Sequence, residues 1–265
     1  MDEYPVKVGS MLFTMVDPNP GHEVAYNRWY ERDHFYAGCI IGPWLFAGRR
    51  WVAPRELKDL RFPETSPFAE PVDAGSFLSI YWHLEGKHDE HAEWALPQVW
   101  WLYQNGRGFA ERTHRHTGIY KFLSASYADD DGVPVELALD HYYEGLGVVV
   151  IEPTEGNDQA ALLQWLQKEA EPTLLSKGGV ETVASWAMWP QNHGEQGSPM
   201  DLGTDGGAED RIVQLCFSEC EPREMWDSFR QYAKAIDAGG VGRVTFAAPF
   251  FPTDVGTDKY TDQLW

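Results

Sequence analysis

Asn27-Arg28-Trp29-Tyr30-Glu31-Arg32-Asp33-His34 reads residue for residue against Leu163-Gln164-Trp165-Leu166-Gln167-Lys168-Glu169-Ala170. Tryptophan meets tryptophan, Arg32 meets Lys168 and Asp33 meets Glu169. Each stretch follows an apolar run that closes on an acid-proline pair. Met11 to Val16 precedes Asp17-Pro18, and Leu146 to Ile151 precedes Glu152-Pro153. Shared spacing, charge order and upstream strand point to an internal repeat of about 130 residues, longer than solenoid periods.

Around the first stretch, His22 to Cys39 reads as one helix. Trp29, Tyr30, Asp33 and His34 recur at spacings of three and four, and Gly38 with Gly42-Pro43 stops it. Trp44 to Val52 is a strand. Arg55 to Ala74, rich in proline and charge, is a long loop of the kind that forms lids or binding loops. Gly75 to Leu84 alternates, with Leu78, Ile80, Trp82 and Leu84 on one face and Ser79, Tyr81 and His83 on the other. Asp89 to Asn105 is a helix that Pro97 kinks or starts, and Thr117 to Ser126 is a fourth strand.

After a polar linker, Ala128 to Pro134, the order recurs. Asp158 N-caps a helix to Ser176, Gly178-Gly179 ends it, and Glu181 to Trp189 is a strand. Gln191 to Asp210 is a loop. Arg211 to Ser218 is a strand, Arg223 to Ala238 a helix and Gly242 to Phe251 a last strand, with a tail from Pro252. Two passes of βαββαβ make an α+β chain of two tandem ferredoxin-like units, 1–130 and 131–265. Their antiparallel sheets are expected to form one barrel-like core with a cavity between sheet and sheet.

The repeat is asymmetric where it matters. Tyr30 and His34 stand against Leu166 and Ala170. A scaffold role alone predicts similar residues in both copies. Loss of the two chemically active side chains from one copy predicts a single live site, in the first half.

The chain's net charge of −20 repels phosphate backbones and anionic membranes, which argues against nucleic acid or a membrane as partner. Three cysteines, Cys39, Cys216 and Cys220, make no disulfide framework. No leader-like segment opens the chain and no apolar run approaches a bilayer span, so a cytoplasmic protein with reduced thiols is expected. Twelve tryptophans must line a core, a subunit contact or a pocket for flat ligands.

The first half resembles the dimeric α+β barrel superfamily, most of all its EthD-like branch. Asn19-Pro20 after the first strand and Asn27-x-Trp29-Tyr30-x-x-Asp33-His34 carry the resemblance, over about 45 residues. Phe35-Tyr36 departs from it, since a proline usually stands near that point in the family. Members are single ferredoxin-like units that dimerise or fused tandem copies. They include cofactor-free monooxygenases, polyketide cyclases, lactone isomerases and haem-binding enzymes. The resemblance therefore implies a small-molecule enzyme within this range.

His34 is the expected acid–base group, since imidazole exchanges protons near neutrality. Tyr30, one turn earlier, and His83, on the polar strand face, are its expected partners. Asn27, Trp29, Trp44, Arg49, Ser79 and Tyr81 are the expected substrate-binding residues. His88-x-x-His91 reads as a solvated helix start rather than a metal pair, and His114-x-His116 as a surface loop or strand entry. Cys216 and Cys220 are expected to share one strand face.

No glycine-rich nucleotide loop or serine elbow is present. The expected function is a cofactor-independent lyase, cyclase or isomerase acting on an aromatic or polyketide-like carbonyl or phenol, with no metal. A monooxygenase or haem-binding oxidoreductase of the same fold is the first alternative and a non-catalytic binder of a hydrophobic small molecule the second. A monomer or a homodimer is expected.

Overall fold

The computed structural model describes residues 5–177, 179–189, 198–203 and 209–265. The chain runs through β1 (Val8–Pro18), α1 (Glu23–Trp29), β2 (Leu45–Val52), a short α2 (Arg55–Lys58), β3 (Phe77–Leu84), α3 (His88–Gln104) and β4 (Arg112–Tyr127). The order then repeats as β5 (Gly145–Pro153), α4 (Gln159–Trp165), α5 (Glu171–Lys177), β6 (Val180–Trp189), β7 (Ile212–Ser218), α6 (Pro222–Gly239) and β8 (Gly242–Pro252). Asp158 caps α4 through its side chain, as expected. Most of the 191–210 loop lies outside the described residues. Among the described residues no helix is long and apolar enough to cross a membrane.

All eight strands close into one antiparallel barrel, in the order β1-β3-β2-β8-β5-β7-β6-β4. Each half keeps the same internal order, β4-β1-β3-β2 and β8-β5-β7-β6. The two ferredoxin-like units therefore join edge to edge within one chain. The two joins are unequal. β4 and β6 pair from Ile119↔Trp189 to Tyr127↔Thr182, whereas β2 and β8 pair only at Trp51↔Pro252 and Val52↔Phe251.

Alternation sends one face of each strand inward, and there side chains from non-neighbouring strands meet. Trp82 of β3 stacks on Trp186 of β6 at 4.7 Å, and Trp51 of β2 meets Phe217 of β7 at 6.2 Å. Phe68 enters from the 55–76 connection and stacks on the buried ring of His116 at 4.0 Å. Val135, Ala138, Leu139 and Tyr143, from the connection between the halves, are buried too. Trp82 Nε1 donates to the Val135 carbonyl at 3.1 Å.

Three expectations differ from the structure. Core side chains fill the space between the sheets, as an eight-stranded barrel interior permits. The proline-rich 55–74 segment supplies a core plug in Phe68. Cys216 and Cys220 do not share a strand, since β7 ends at Ser218.

Helices cover the outward faces. In the second half α6 buries Met225, Trp226, Phe229, Tyr232 and Ile236 against the sheet, and the Phe229 ring lies directly over Gly147. Aligning the acid-proline pairs places Gly147 where the first half has Leu12. In the first half α3 buries only His91 and Leu102, and Pro97 sits inside it without ending it. Ala92, Ala95 and Val99, where α3 faces the sheet, leave space above it.

His22 to Cys39 is not one α-helix. After α1 the chain makes two π-helical segments, Tyr30–His34 and Tyr36–Ile40. A third occupies the aligned Leu166–Ala170. π turns are rare and often mark functional sites. Here one also occurs in the half that lacks Tyr30 and His34, so it belongs to the fold and the side chains add the chemistry.

Candidate active site

A cavity of about 430 Å³ lies between the outward face of the first sheet and α3. Leu12 and Ile119 form its apolar floor, and Ala92, Ala95, Leu96 and Val99 of α3 its roof. That volume falls within the range of small-molecule sites. Polar groups gather at its two ends. Ser10 and Thr14 mark the ends on β1, which separates them by roughly 13 Å at about 3.4 Å per residue.

His34 stands at the Thr14 end. The π turn carries its ring onto Trp29, stacked at 4.7 Å and 17° from parallel, with the edge of Tyr30 at 5.2 Å. Gly38 leaves room for the ring: a Cβ there would sit 2.8 Å from both Nδ1 and Cε1 of His34. Burial, with the charge of Arg112 next, pushes the His34 pKa down to about 3, so the ring is neutral at pH 7. Tyr30 lines the cavity, and its hydroxyl meets that of Tyr81 at 2.9 Å. Burial raises the Tyr30 pKa, so this phenol keeps its proton.

Beside His34 stand Arg112 and His114, both on the cavity wall. Arg112 donates to the Tyr103 hydroxyl at 2.7 Å and lies 4.6 Å from the Trp29 ring centre. Among the described residues it has no carboxylate partner, an unusual state in a chain of net charge −20. His114 Nδ1 meets Thr117 Oγ1 at 2.8 Å, Thr117 meets Thr14 Oγ1 at 2.8 Å, and His114 Nε2 is buried without a partner among the described residues. Burial, with Arg112 next, holds the His114 pKa at about 3.

Sequence reasoning missed both residues, for a traceable reason. Even alternation would send His114 inward with His116. The register shifts where Met15 pairs with His116 and Val16 pairs with His114. This bulge at Arg115 turns His114 to the cavity face instead. The polar Arg112–His116 run opens β4, so of the two expected readings, surface loop or strand entry, it is the strand entry.

At the Ser10 end three histidines converge. Ser10 Oγ is 3.2 Å from His83 Nδ1 and 3.4 Å from His88 Nδ1. The rings of His83 and His91 are 4.5 Å apart, and His91 Nδ1 donates to the Pro43 carbonyl at 2.8 Å. Burial and the neighbouring histidines lower the His83 pKa to about 3, and burial lowers those of His88 and His91. His88 and His91 thus face the cavity instead of solvent.

The structure brings His34, Tyr30 and His83 to one cavity, with His83 at the far end. Trp29 backs His34. Ser79 and Tyr81 are buried behind Tyr30. Asn27, Trp44 and Arg49 lie outside the cavity, a correction to their expected place. Asn27 donates to the Thr257 carbonyl and accepts from Arg50, tying down the C-terminal segment. Trp44 is 41% exposed beneath Lys87. Arg49 shares the inward strand face with Trp51 and donates to the His141 carbonyl, so the sheet separates it from His34. Its neighbour Arg50 takes the helix side, 4.5 Å from the Tyr30 ring.

No protein-family model matches the chain, and no curated protein matches it in sequence. Solved structures do. An anthrone oxidase-like protein superposes with a TM-score of 0.56 at 9% identity, over 95% of each chain. A protein named for chlorite dismutase gives 0.54 at 9% identity, over 98% of this chain and 100% of that one. A variant of DypB from Rhodococcus jostii RHA1, in complex with heme, gives 0.51 at 10% identity, over 97% and 96%. At such identities the likeness is one of fold: this chain has the dimeric α+β barrel fold, closed within a single polypeptide.

Proposed function

We propose that the cavity takes a planar aromatic ketone or phenol and that His34 removes a proton from it. The observation that carries this reading is the His34 ring itself. It is neutral, stacked on Trp29, open to an apolar cavity and beside the Arg112 guanidinium, which has no carboxylate partner among the described residues. At a carbon activated by a carbonyl, the C–H bond breaks and the proton goes to an imidazole nitrogen. The electron pair moves to the carbonyl oxygen. Arg112 faces the resulting oxyanion, and Tyr30 can donate a hydrogen bond to it.

An isolated imidazolium is disfavoured here, so the base works only when the substrate anion forms beside it. This couples proton transfer to correct placement of the oxyanion. The apolar roof and floor keep water from the anion. One live site per chain follows from the second half, where Ala170 replaces His34 and Phe229 fills the matching space.

The test uses anthrone in D2O, following deuterium uptake at its methylene carbon by proton NMR. Wild type is expected to accelerate uptake and His34→Ala to lose about 100-fold or more of that acceleration. Equal rates in the two proteins would refute the role of His34.

A second reading rests on His114. An imidazole held at Nδ1 by Thr117, with a buried Nε2 that no described residue partners, is arranged like a metal-ligating histidine. Were a haem bound, His114 would hold its iron and Arg112 would meet a propionate, and the group would supply oxidative chemistry. A Soret band in the purified protein, lost in His114→Ala, would move the assignment there.

A further inference from the structure

We infer that the Ser10–His83–His88–His91 cluster is a second recognition subsite, which binds hydroxyl groups on the ring of the ligand remote from His34. The inference rests on the cavity being the ligand site.

His91 Nδ1 faces the Pro43 carbonyl at 2.8 Å, so it must be the protonated nitrogen, and Nε2 then carries a lone pair. Ser10 Oγ lies within reach of both His83 Nδ1 and His88 Nδ1. Serine has one proton to give. At least one of these two rings therefore donates Nδ1–H to Oγ and keeps a lone pair on Nε2. The cluster thus presents at least two lone pairs for which no described residue is a partner.

Burial keeps these rings neutral at pH 7 and above. Such an array repels a carboxylate and leaves a bare hydrocarbon edge with unmet acceptors. It matches a neutral group with hydrogens to donate, as phenolic hydroxyls are. Trp189 closes this end with its ring 4.7 Å from that of His88, a surface for a flat ring. Among the described residues, no three His, Cys, Asp or Glu side chains are arranged to hold a metal ion.

The cavity then reads its ligand from both ends. The Arg112 end receives the oxygen that gains charge, and the Ser10 end receives hydroxyls that stay neutral. Two- and three-ring planar skeletons with oxygens at opposite ends fit this spacing.

The test compares 2,6-dihydroxynaphthalene with 6-methoxy-2-naphthol, by calorimetry at pH 7.5. Methylation removes one donor and keeps the oxygen. Wild type is expected to bind the diol about tenfold more tightly. The preference should disappear in His88→Phe and persist in His34→Ala, with folding of each variant checked by circular dichroism. Equal or tighter binding of the methyl ether by wild type would overturn the inference, as would no binding of either compound or stoichiometric Zn²⁺ binding to the cluster. Anthrone exchange by wild type would still stand in those cases, so the two readings fail separately.

Discussion

Lowering the pH from 7 to 5 is expected to remove most of this protein's stability. His34, His83 and His114 each have a native pKa of about 3, against 6.5 for an unperturbed histidine. A depressed histidine pKa means that the unfolded chain binds protons the native state refuses. Stability is then highest above pH 6.5 and is lost as pH falls from 6.5 towards 3. Linkage makes the loss about 2 kcal/mol per histidine by pH 5, or about 6 kcal/mol for three.

Domains are stable by roughly 5–15 kcal/mol, so this loss is comparable to the whole. His88 and His91 act in the same direction. Buried Glu171, whose pKa is raised, acts against it, whereas Asp17, whose pKa is lowered, matters only in stronger acid. Urea unfolding followed by tryptophan fluorescence at pH 7, 6 and 5 measures the effect, and His34→Gln should reduce the pH-dependent loss by about 2 kcal/mol. A change below about 1 kcal/mol between pH 7 and 5, or native imidazole signals titrating near 6.5, would refute the assignment of neutral buried histidines.

Three further outcomes follow from the geometry. Gly38→Ala would place a Cβ 2.8 Å from the His34 ring. Anthrone exchange should therefore fall at least tenfold with His34 still present, and an unchanged rate would contradict the placement of that ring. Ala95→Phe should fill the roof of the cavity and abolish binding of 2,6-dihydroxynaphthalene, with thermal stability unchanged or raised. Trp186→Ala, which removes the partner of Trp82 inside the barrel, should cost about 3–5 kcal/mol in urea unfolding.

The fold was legible because repetition survives in the letters. Trp29 and Trp165, Asp33 and Glu169, and the two acid-proline pairs align because both halves need the same strand-to-helix turn. Residues Leu78 to Leu84 alternate because one face meets the barrel core and the other the helix layer. The elements that were misread are those governed by tertiary context. The π turns leave no trace in composition, and Phe68 is one apolar residue in a segment rich in proline and charge.

His34 and Tyr30 could be found by comparing the halves, since an active residue facing a bland one is visible without a structure. Arg112 and His114 could not, because a bulge overrides the alternation that would have placed them. His88 and His91 carried a signal that charged neighbours masked, and only the fold of α3 over β3 turns them inward. Arg49 and Arg50 are adjacent in sequence, and the pleat sends Arg50, not Arg49, to the helix side.

The ligand is expected to bind outside the barrel, under α3 and against His34. A crystal structure with a bromo-substituted anthrone locates the ligand from the anomalous signal of bromine. One site per chain is expected, with the rings between Leu12, Ile119 and α3 and the ketone oxygen at Arg112. Bromine inside the barrel, beside Arg49, or beneath α6 in the second half would contradict it.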